Sequence, residues 1–232
     1  MIDKDKLCIG FNTGDIQVLN ISTMNFIYSL NSHNKEITSL VRHNDTTIAS
    51  GSKDTRVKIW DIETKTIKID LDIETKLNKF MTNSLKIKIY TLSKNKICIL
   101  DADIYSTITI LDYITGISQS CSLNNGPQHI MKLNIIDSDI IVYYIMSIIV
   151  LRDAKTLNII HEFKHKEPIY SINILPDMRI VIKSYFLYIL NPITKEYDNK
   201  FPLSTILANN HDIFITRDLL IILSDNIIEI HN

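Results

Sequence analysis

Short blocks in which apolar and polar residues alternate recur along the chain, separated by Asp, Asn, Ser and Lys. Clear examples are residues 86–92, 96–101 and 107–112, which are rich in Ile, Leu, Tyr and Thr. An alternation of period two places apolar side chains on one face of a strand, and these residue types favour strands. Residues 140–146 are apolar or aromatic throughout, as expected for a strand covered on both faces. The pattern therefore predicts an all-β fold.

Strand-like segments also repeat at a nearly constant interval. Six of them end in Asp, Asn or His, at successive intervals of 41, 51, 41, 38 and 40 residues. They end at Asn20, Asp61, Asp112, Asp153, Asn191 and His231. The one long interval indicates an insertion around residues 73–85. Four short strands in about 40 residues is the repeat of a propeller blade, in which each sheet covers the faces of its neighbours.

We predict a single domain over residues 1–232 that consists of six such units. The predicted units are residues 1–31, 32–72, 73–124, 125–164, 165–202 and 203–232. The first unit opens with residues 7–12, a segment that corresponds to the second strand of the later units. The last unit has three predicted strands, at residues 213–216, 219–223 and 227–231, unless residues 203–207 supply a further one. One or both terminal units are therefore expected to be incomplete.

The second unit contains the most informative motif. Ser32 and His33 open a loop, a strand follows at residues 37–40, and residues 49–61 have the sequence ASGSKDTRVKIWD. Over residues 32–66 this unit resembles a WD40 repeat. The resemblance implies a WD40-like β-propeller of about six blades with incomplete terminal blades, or a shortened relative of a seven-bladed protein.

Four residues of this unit match the hydrogen-bonded tetrad of WD40 repeats, in which a His, a Ser or Thr, an Asp and a Trp join. They are His33, Ser50, Asp54 and Trp60. Such a tetrad supplies a buried indole N–H and an imidazole with the partners that they need. The fifth unit resembles the same plan over residues 165–191. Other units have Leu in place of Trp, at Leu19, Leu111 and Leu190, so we expect apolar packing to replace the tetrad there.

Composition narrows the classes of function. The formal net charge is -1 and long like-charge runs are absent, which argues against nucleic acid as a partner. The three cysteines, Cys8, Cys98 and Cys121, are too widely spaced for a zinc ribbon and too few for a disulfide framework. Residues 1–6 lead into no apolar run, and the longest apolar run, residues 140–151, falls short of the ~20 residues of a spanning helix. We therefore expect an intracellular protein, with the cytoplasm as its compartment and no membrane segment.

One segment imitates a metal site. Residues 161–165, HEFKH, match the H-E-x-x-H motif, in which two His one helical turn apart bind zinc and the Glu acts as a base. Here the segment is expected to run from a strand into a loop, which separates the two His. We therefore expect no metal and no catalytic residue, and a metal-dependent hydrolase using His161, Glu162 and His165 stands as the alternative from another class. The five glycines show no phosphate-binding spacing, so no cofactor is expected.

The resemblance implies a non-catalytic scaffold that binds one or more proteins. Partners of WD40 proteins commonly bind on the face that carries the loops between blades. The matching residues are Glu36, Thr38, Lys53 and Tyr170, with Tyr170 favoured because exposed aromatic residues are enriched at energetically important contacts. A substrate-recruiting subunit of a ubiquitin ligase is an alternative of the same class, although Glu63 stands where one adaptor class has Arg. Open sheet edges in incomplete units also predict self-association.

Overall fold

The computed structural model describes most of the chain and consists of strands joined by turns and loops. The described residues are 5–73, 87–93, 95–101, 107–123, 133–136, 139–202, 212–215, 220–224 and 227–231. Within them every regular element is a β-strand. The predicted insertion lies outside these residues except for Ile73, and the alternative strand at residues 203–207 lies outside them entirely.

The described strands form six antiparallel sheets, and in each the strands follow one another in chain order. The first sheet contains β1 (Lys6–Gly10), β2 (Asp15–Asn20) and β3 (Phe26–Asn31). The second contains β4 (Ile37–Arg42), β5 (Thr47–Ser52), β6 (Arg56–Asp61) and β7 (Thr66–Asp72). The third contains β8 (Ile87–Thr91), β9 (Lys96–Asp101), β10 (Thr107–Asp112) and β11 (Ser118–Ser122).

The remaining sheets follow the same plan. The fourth contains β12 (Leu133–Ile136), β13 (Ile140–Ile145), β14 (Ile148–Asp153) and β15 (Ile159–Lys164). The fifth contains β16 (Ser171–Ile174), β17 (Ile180–Lys183), β18 (Phe186–Asn191) and β19 (Glu196–Pro202). The sixth contains β20 (Asp212–Ile215), β21 (Leu220–Ser224) and β22 (Ile227–His231). The all-β prediction is confirmed. The first and last sheets have three strands each within the described residues, and the incompleteness of the terminal units stays a prediction.

Contacts divide the chain into two compact units. The N-terminal unit consists of Met1–His129 and Ala154–Leu157, and it contains the first three sheets. The C-terminal unit consists of Ile130–Asp153 and Asn158–Asn232, and it contains the other three. The organisation as a single domain stays a prediction.

Within each unit, apolar side chains of neighbouring sheets form the core. In the N-terminal unit, one buried cluster joins the first and second sheets and includes Trp60. A second cluster joins the second and third sheets through Ile59 and Ile87. In the C-terminal unit, the fourth and fifth sheets share a cluster that includes Tyr144 and Ile182. Because both faces of these strands are covered, the simple alternation of the sequence gives way to nearly continuous apolar runs in strands such as β13.

A five-residue turn follows the third strand of most sheets and recurs five times in the described residues. Each copy begins with Asp or Asn, has Thr at its fourth position, and ends with a residue whose φ lies between 54° and 71°. The copies are Asn20–Met24, Asp61–Lys65, Asp112–Gly116, Asp153–Leu157 and Asn191–Lys195. In four of them the side-chain oxygen of the first residue accepts from the backbone N–H of the Thr, at 2.9 to 3.2 Å. Such Asx turns fix where each outer strand begins.

Candidate functional site

Four side chains of the second sheet meet in a buried hydrogen-bonded chain. The Nδ1 atom of His33 lies 3.0 Å from both carboxylate oxygens of Asp54. Its Nε2 atom lies 2.8 Å from the Oγ atom of Ser50. The Nε1–H group of Trp60 donates to the same Oγ atom at 3.0 Å. The structure therefore brings together the four residues that the WD40 resemblance singles out.

Neighbouring strands and one turn position these groups. Ser50 lies on β5 and Trp60 on β6, the strand paired with it. Asp54 occupies the turn between the two strands and accepts from the backbone N–H groups of Asn34 at 2.9 Å and Arg56 at 3.1 Å. One carboxylate thus fixes both its own turn and the loop that carries the imidazole, since buried or half-buried polar groups need such partners.

The electrostatics of the tetrad favour a neutral imidazole beside an ionised carboxylate. Burial lowers the pKa of His33, and this effect outweighs the attraction of the Asp54 carboxylate. Burial acts to raise the pKa of Asp54, but hydrogen bonds from the backbone and from His33 lower it overall. The partners then assign every proton: Nδ1–H donates to Asp54, the Ser50 hydroxyl donates to Nε2, and Trp60 donates to Ser50.

Ser, His and Asp in this order resemble the triad of serine hydrolases. Here Ser50 has no exposed surface, and its oxygen already accepts from the indole of Trp60. A nucleophile must be reached by its substrate and must be free to attack. The arrangement therefore serves to satisfy buried polar groups and to hold a loop, a turn and two strands in place.

Other described sheets fill the equivalent positions differently. Immediately before the Asp or Asn of the recurring turn stand Leu19, Leu111, Arg152 and Leu190. In the fifth sheet, Leu190 and Ile182 have no exposed surface and occupy the positions of the indole and the hydroxyl. In the fourth sheet, the Nη2 atom of Arg152 donates to the hydroxyl of Tyr143 at 3.1 Å. Arg152 and Tyr143 occupy the positions of Trp60 and Ser50. Because an Arg–Tyr pair does not match the Trp–Ser motif, the sequence comparison did not single out these two residues.

The fifth sheet keeps a buried histidine but changes its partners. The Nδ1 atom of His165 lies 2.9 Å from the hydroxyl of Tyr197 on β19. Glu167, in the same loop, accepts from the hydroxyls of Tyr188 at 3.0 Å and Ser184 at 2.9 Å. The Nδ1 atom of His165 is therefore hydrogen-bonded to a tyrosine, whereas that of His33 is hydrogen-bonded to a turn aspartate.

Two of the three contact residues predicted in the second sheet form an ion pair with each other. Glu36 lies in the loop before β4, and Lys53 lies in the turn between β5 and β6, at the same end of the sheet. The two form an ion pair with an Nζ–Oε2 distance of 2.5 Å, and both side chains are partly exposed. Thr38 is half-buried, and its hydroxyl donates to the backbone oxygen of Ile87 at 2.8 Å. Thr38 therefore links the second and third sheets.

Tyr170 is half-buried and lies at the same end of the sheets of the C-terminal unit as two exposed large side chains. Its ring meets that of Tyr185 edge to face, with 5.9 Å between the centroids. Tyr185 is 56% exposed and Met146 is 66% exposed. The backbone beneath them is fixed, because Ile169 N–H donates to the Met146 carbonyl at 2.9 Å and the Tyr144 hydroxyl donates to the Tyr170 carbonyl at 2.6 Å. We call Met146, Tyr170 and Tyr185 the loop-end surface.

Known proteins carry the same repeat and the same fold. The family model described as "WD domain, G-beta repeat" matches residues 24–61, a segment that contains all four tetrad residues. The U3 small nucleolar RNA-associated protein 15 of Schizosaccharomyces pombe is 34% identical over 71 residues. Residues 24–61 of the chain are therefore identified as a WD40 repeat. The aligned segment is 30% of this chain and 14% of that relative, so the likeness covers a small part of the relative.

Two solved structures share the fold of this chain over nearly its whole length. The Cps50 (Swd1) β-propeller domain of Myceliophteria thermophila has a TM-score of 0.68 at 14% identity, covering 97% of this chain and 79% of that one. The WD40 β-propeller domain of Doa1 has a TM-score of 0.63 at 20% identity, covering 98% and 75%. The fold is therefore a β-propeller, as predicted.

The HEFKH segment does not form a helix. Residues 161–164 belong to β15, and His165 follows the strand. The ring of His161 stacks edge to face on Phe163, with centroids 4.5 Å apart. Nowhere in the described part of the chain do three or more His, Cys, Asp or Glu side chains group as metal ligands. The same residues contain no helix of the length and apolarity needed to span a bilayer.

Proposed function

We propose that this WD40 protein is a non-catalytic scaffold that binds a protein partner through the loop end of its sheets. The loop-end surface carries the proposal. It offers the exposed side chains of Tyr185 and Met146 beside the half-buried ring of Tyr170, on backbone that hydrogen bonds hold in place. Large side chains that are already ordered lose little entropy on binding, and aromatic residues are enriched among energetically dominant contacts.

In the N-terminal unit, Glu36 and Lys53 are proposed as further contacts. They form an exposed ion pair, and charges of this kind contribute to the choice of partner and the rate of association more than to affinity. Thr38 has a structural role in this proposal, because its hydroxyl is already bonded to the neighbouring sheet.

A protein partner fits these surfaces better than RNA does. The name of the fission yeast relative associates it with a small nucleolar RNA, but the aligned segment is short. The net charge of this chain is -1, whereas binding to nucleic acid generally relies on a concentrated positive charge.

Immobilised wild-type chain and the Tyr185→Ala variant, each exposed to the same cell extract, test the proposal. Retained proteins are quantified by mass spectrometry, and the affinity of each purified candidate is then measured by titration. We expect Tyr185→Ala to weaken the specific partner by about tenfold or more, as for the truncation of a central aromatic contact.

Ile193→Ala is the matched control, because Ile193 is also large, apolar and 77% exposed but lies in the turn at the other end of the fifth sheet. It should leave the affinity unchanged. Equal losses in both variants, or none in either, contradict a contact at the loop-end surface. Loss of all retained proteins after ribonuclease treatment would assign the binding to RNA instead.

A further inference from the structure

In the part of the chain that the structure describes, the first sheet shows no counterpart of the innermost strand that four other sheets possess. The recurring Asx turn follows β2, as it follows the third strand of the second to fifth sheets. β2 is therefore a third-type strand, and β1 is a second-type strand like β5, β9, β13 and β17. Within the described residues, β1 pairs with β2 alone.

Two glycines provide independent support for this alignment. A Cβ atom added to Gly10, at the end of β1, would lie 2.6 Å from the Cγ2 atom of Ile37. A Cβ atom added to Gly51, in β5, would lie 2.7 Å from the Cγ2 atom of Ile87. Ile37 and Ile87 are the first residues of β4 and β8. β1 thus contacts the next sheet in the same way as β5 does.

Burial distinguishes β1 from its counterparts. All six residues of β5 and all four of β17 are buried, β9 is buried except at its first residue, and β13 is buried except at its two ends. No residue of β1 is fully buried. Its central residues are Leu7, Cys8 and Ile9, whose side chains favour burial. A strand of this composition that is paired on one side only exposes backbone donors and acceptors that another strand can satisfy.

We infer that the free edge of β1 binds an extended segment of a partner polypeptide as an added antiparallel strand. The four counterparts define its chemistry, because β4, β8, β12 and β16 each pair antiparallel with a second-type strand. They are four to six residues long and combine Ile or Leu with polar residues, as in IKIYT and SINI. Main-chain hydrogen bonds supply affinity in this mode, and alternate side chains supply specificity.

The repeat also argues for a single strand as the occupant. Among the described residues, one strand lies beyond the second-type strand in each counterpart sheet. A second copy that paired through its own β1 would bring a three-stranded sheet to a place where one strand suffices. The loop-end surface is not involved, so this inference and the proposed function can fail independently.

A synthetic peptide with the sequence of residues 86–92 is a suitable probe, since it copies the β8 segment. Hydrogen exchange of the full 232-residue chain is followed by mass spectrometry with and without the peptide. We expect exchange in residues 6–10 to slow by about tenfold at saturation, as for newly paired edge amides. The outer strand β11 should not change. The same peptide with Pro in place of Ile89 should have no effect, because Pro cannot donate to the ladder.

Alkylation of Cys8 gives a second readout, with half-buried Cys121 as the internal control. The peptide should slow the reaction of Cys8 and leave that of Cys121 unchanged. Several results would overturn the inference: no protection of residues 6–10, equal protection by the Pro peptide, or equal protection of β11. Protection that is complete without peptide would identify another segment of the chain as the occupant. Protection that rises with protein concentration, together with dimer formation in light scattering, would identify a second copy.

Discussion

Trp60 is the single tryptophan of the chain. Its contribution to stability depends on the hydrogen-bond partners of its indole N–H group. The indole is almost fully buried and belongs to the cluster between the first two sheets. The same side chain therefore fills volume and anchors a polar chain that ends at an ionised carboxylate. An apolar residue can supply the first property, as Leu190 does in the fifth sheet, but not the second.

A double-mutant cycle separates the two contributions. Trp60→Phe removes a donor and some volume, and Ser50→Ala leaves the indole N–H without its acceptor, so each should destabilise the chain by about 1–3 kcal/mol. In the double variant the indole N–H that Ser50→Ala leaves unpaired is absent. The loss of stability in the double variant should therefore be about 1 kcal/mol smaller than the sum of the two single losses. Urea unfolding followed by far-UV circular dichroism gives the free energies.

Ser120→Ala is the control partner in this cycle. Ser120 lies in the third sheet, where its hydroxyl pairs with that of Thr109, and it shares no partner with Trp60. Combined with Trp60→Phe, it should give additive losses. Additive losses for Ser50→Ala as well would show that the indole contributes through packing alone.

His33 makes the stability of the tetrad depend on pH. Its folded pKa is lowered below the ordinary value of 6.5 by burial, so the unfolded chain binds more protons just below that pH. Stability is therefore fully present above pH 6.5 and falls as the pH is lowered towards the folded pKa. The free energy of unfolding, measured by urea titration between pH 8 and pH 5, should fall less steeply in the His33→Gln variant. Parallel profiles for wild type and variant would contradict this origin.

Among the structural elements, the recurring Asx turn tolerates side chains at a backbone conformation that usually favours glycine. Only Gly116 meets the preference, while Met24, Lys65, Leu157 and Lys195 have φ between 54° and 65°. A residue with a Cβ atom in this region is strained by about 1 kcal/mol. The side-chain oxygen of the leading Asp or Asn holds the turn closed against that strain.

Substitutions at two of these turns should have opposite effects. Lys195→Gly should stabilise the chain by about 0.5–1 kcal/mol, and Gly116→Ala should destabilise it by about 1 kcal/mol or more. Nothing lies within 4 Å of a Cβ atom built on Gly116, so its effect would come from the backbone alone. Thermal unfolding compares both variants with the wild type. A destabilising Lys195→Gly would mean that the exposed lysine contributes more than the relief of strain.

Periodicity and one motif make most of this fold predictable from the sequence. The spacing of the Asp and Asn residues predicts the sheets because each of these residues closes the same turn. The four tetrad residues could be named together because a Trp-Asp pair and an upstream His occur in a single unit. The Arg152–Tyr143 pair could not, since Arg and Tyr are ordinary surface residues elsewhere.

The loop-end surface was only partly predictable for a different reason. Tyr170 could be predicted because the WD40 resemblance places it in a loop between strands. Tyr185 and Met146 lie in two-residue turns between strands, and the sequence around them does not indicate whether these side chains are exposed. Their exposure depends on register, and a shift of one residue would move each to the opposite face. Pairing across β13–β14 and β17–β18 settles it.

At the scale of the whole molecule, stability should vary with the number of neighbours that each strand has. In a repeat architecture each sheet gains stability from the sheets beside it, so the terminal sheets open most readily. In the chain alone, amides of β1 and β21 should therefore exchange about 100-fold faster than those of β5, β9 and β17. Native-state hydrogen exchange with mass spectrometry measures all five strands in one experiment. β21 lies between β20 and β22 as β5 lies between β4 and β6, so all five are second-type strands, and the comparison separates position in the chain from strand type. Uniform exchange across them would mean that the molecule opens only as a whole, and that β1 is already covered in the isolated chain.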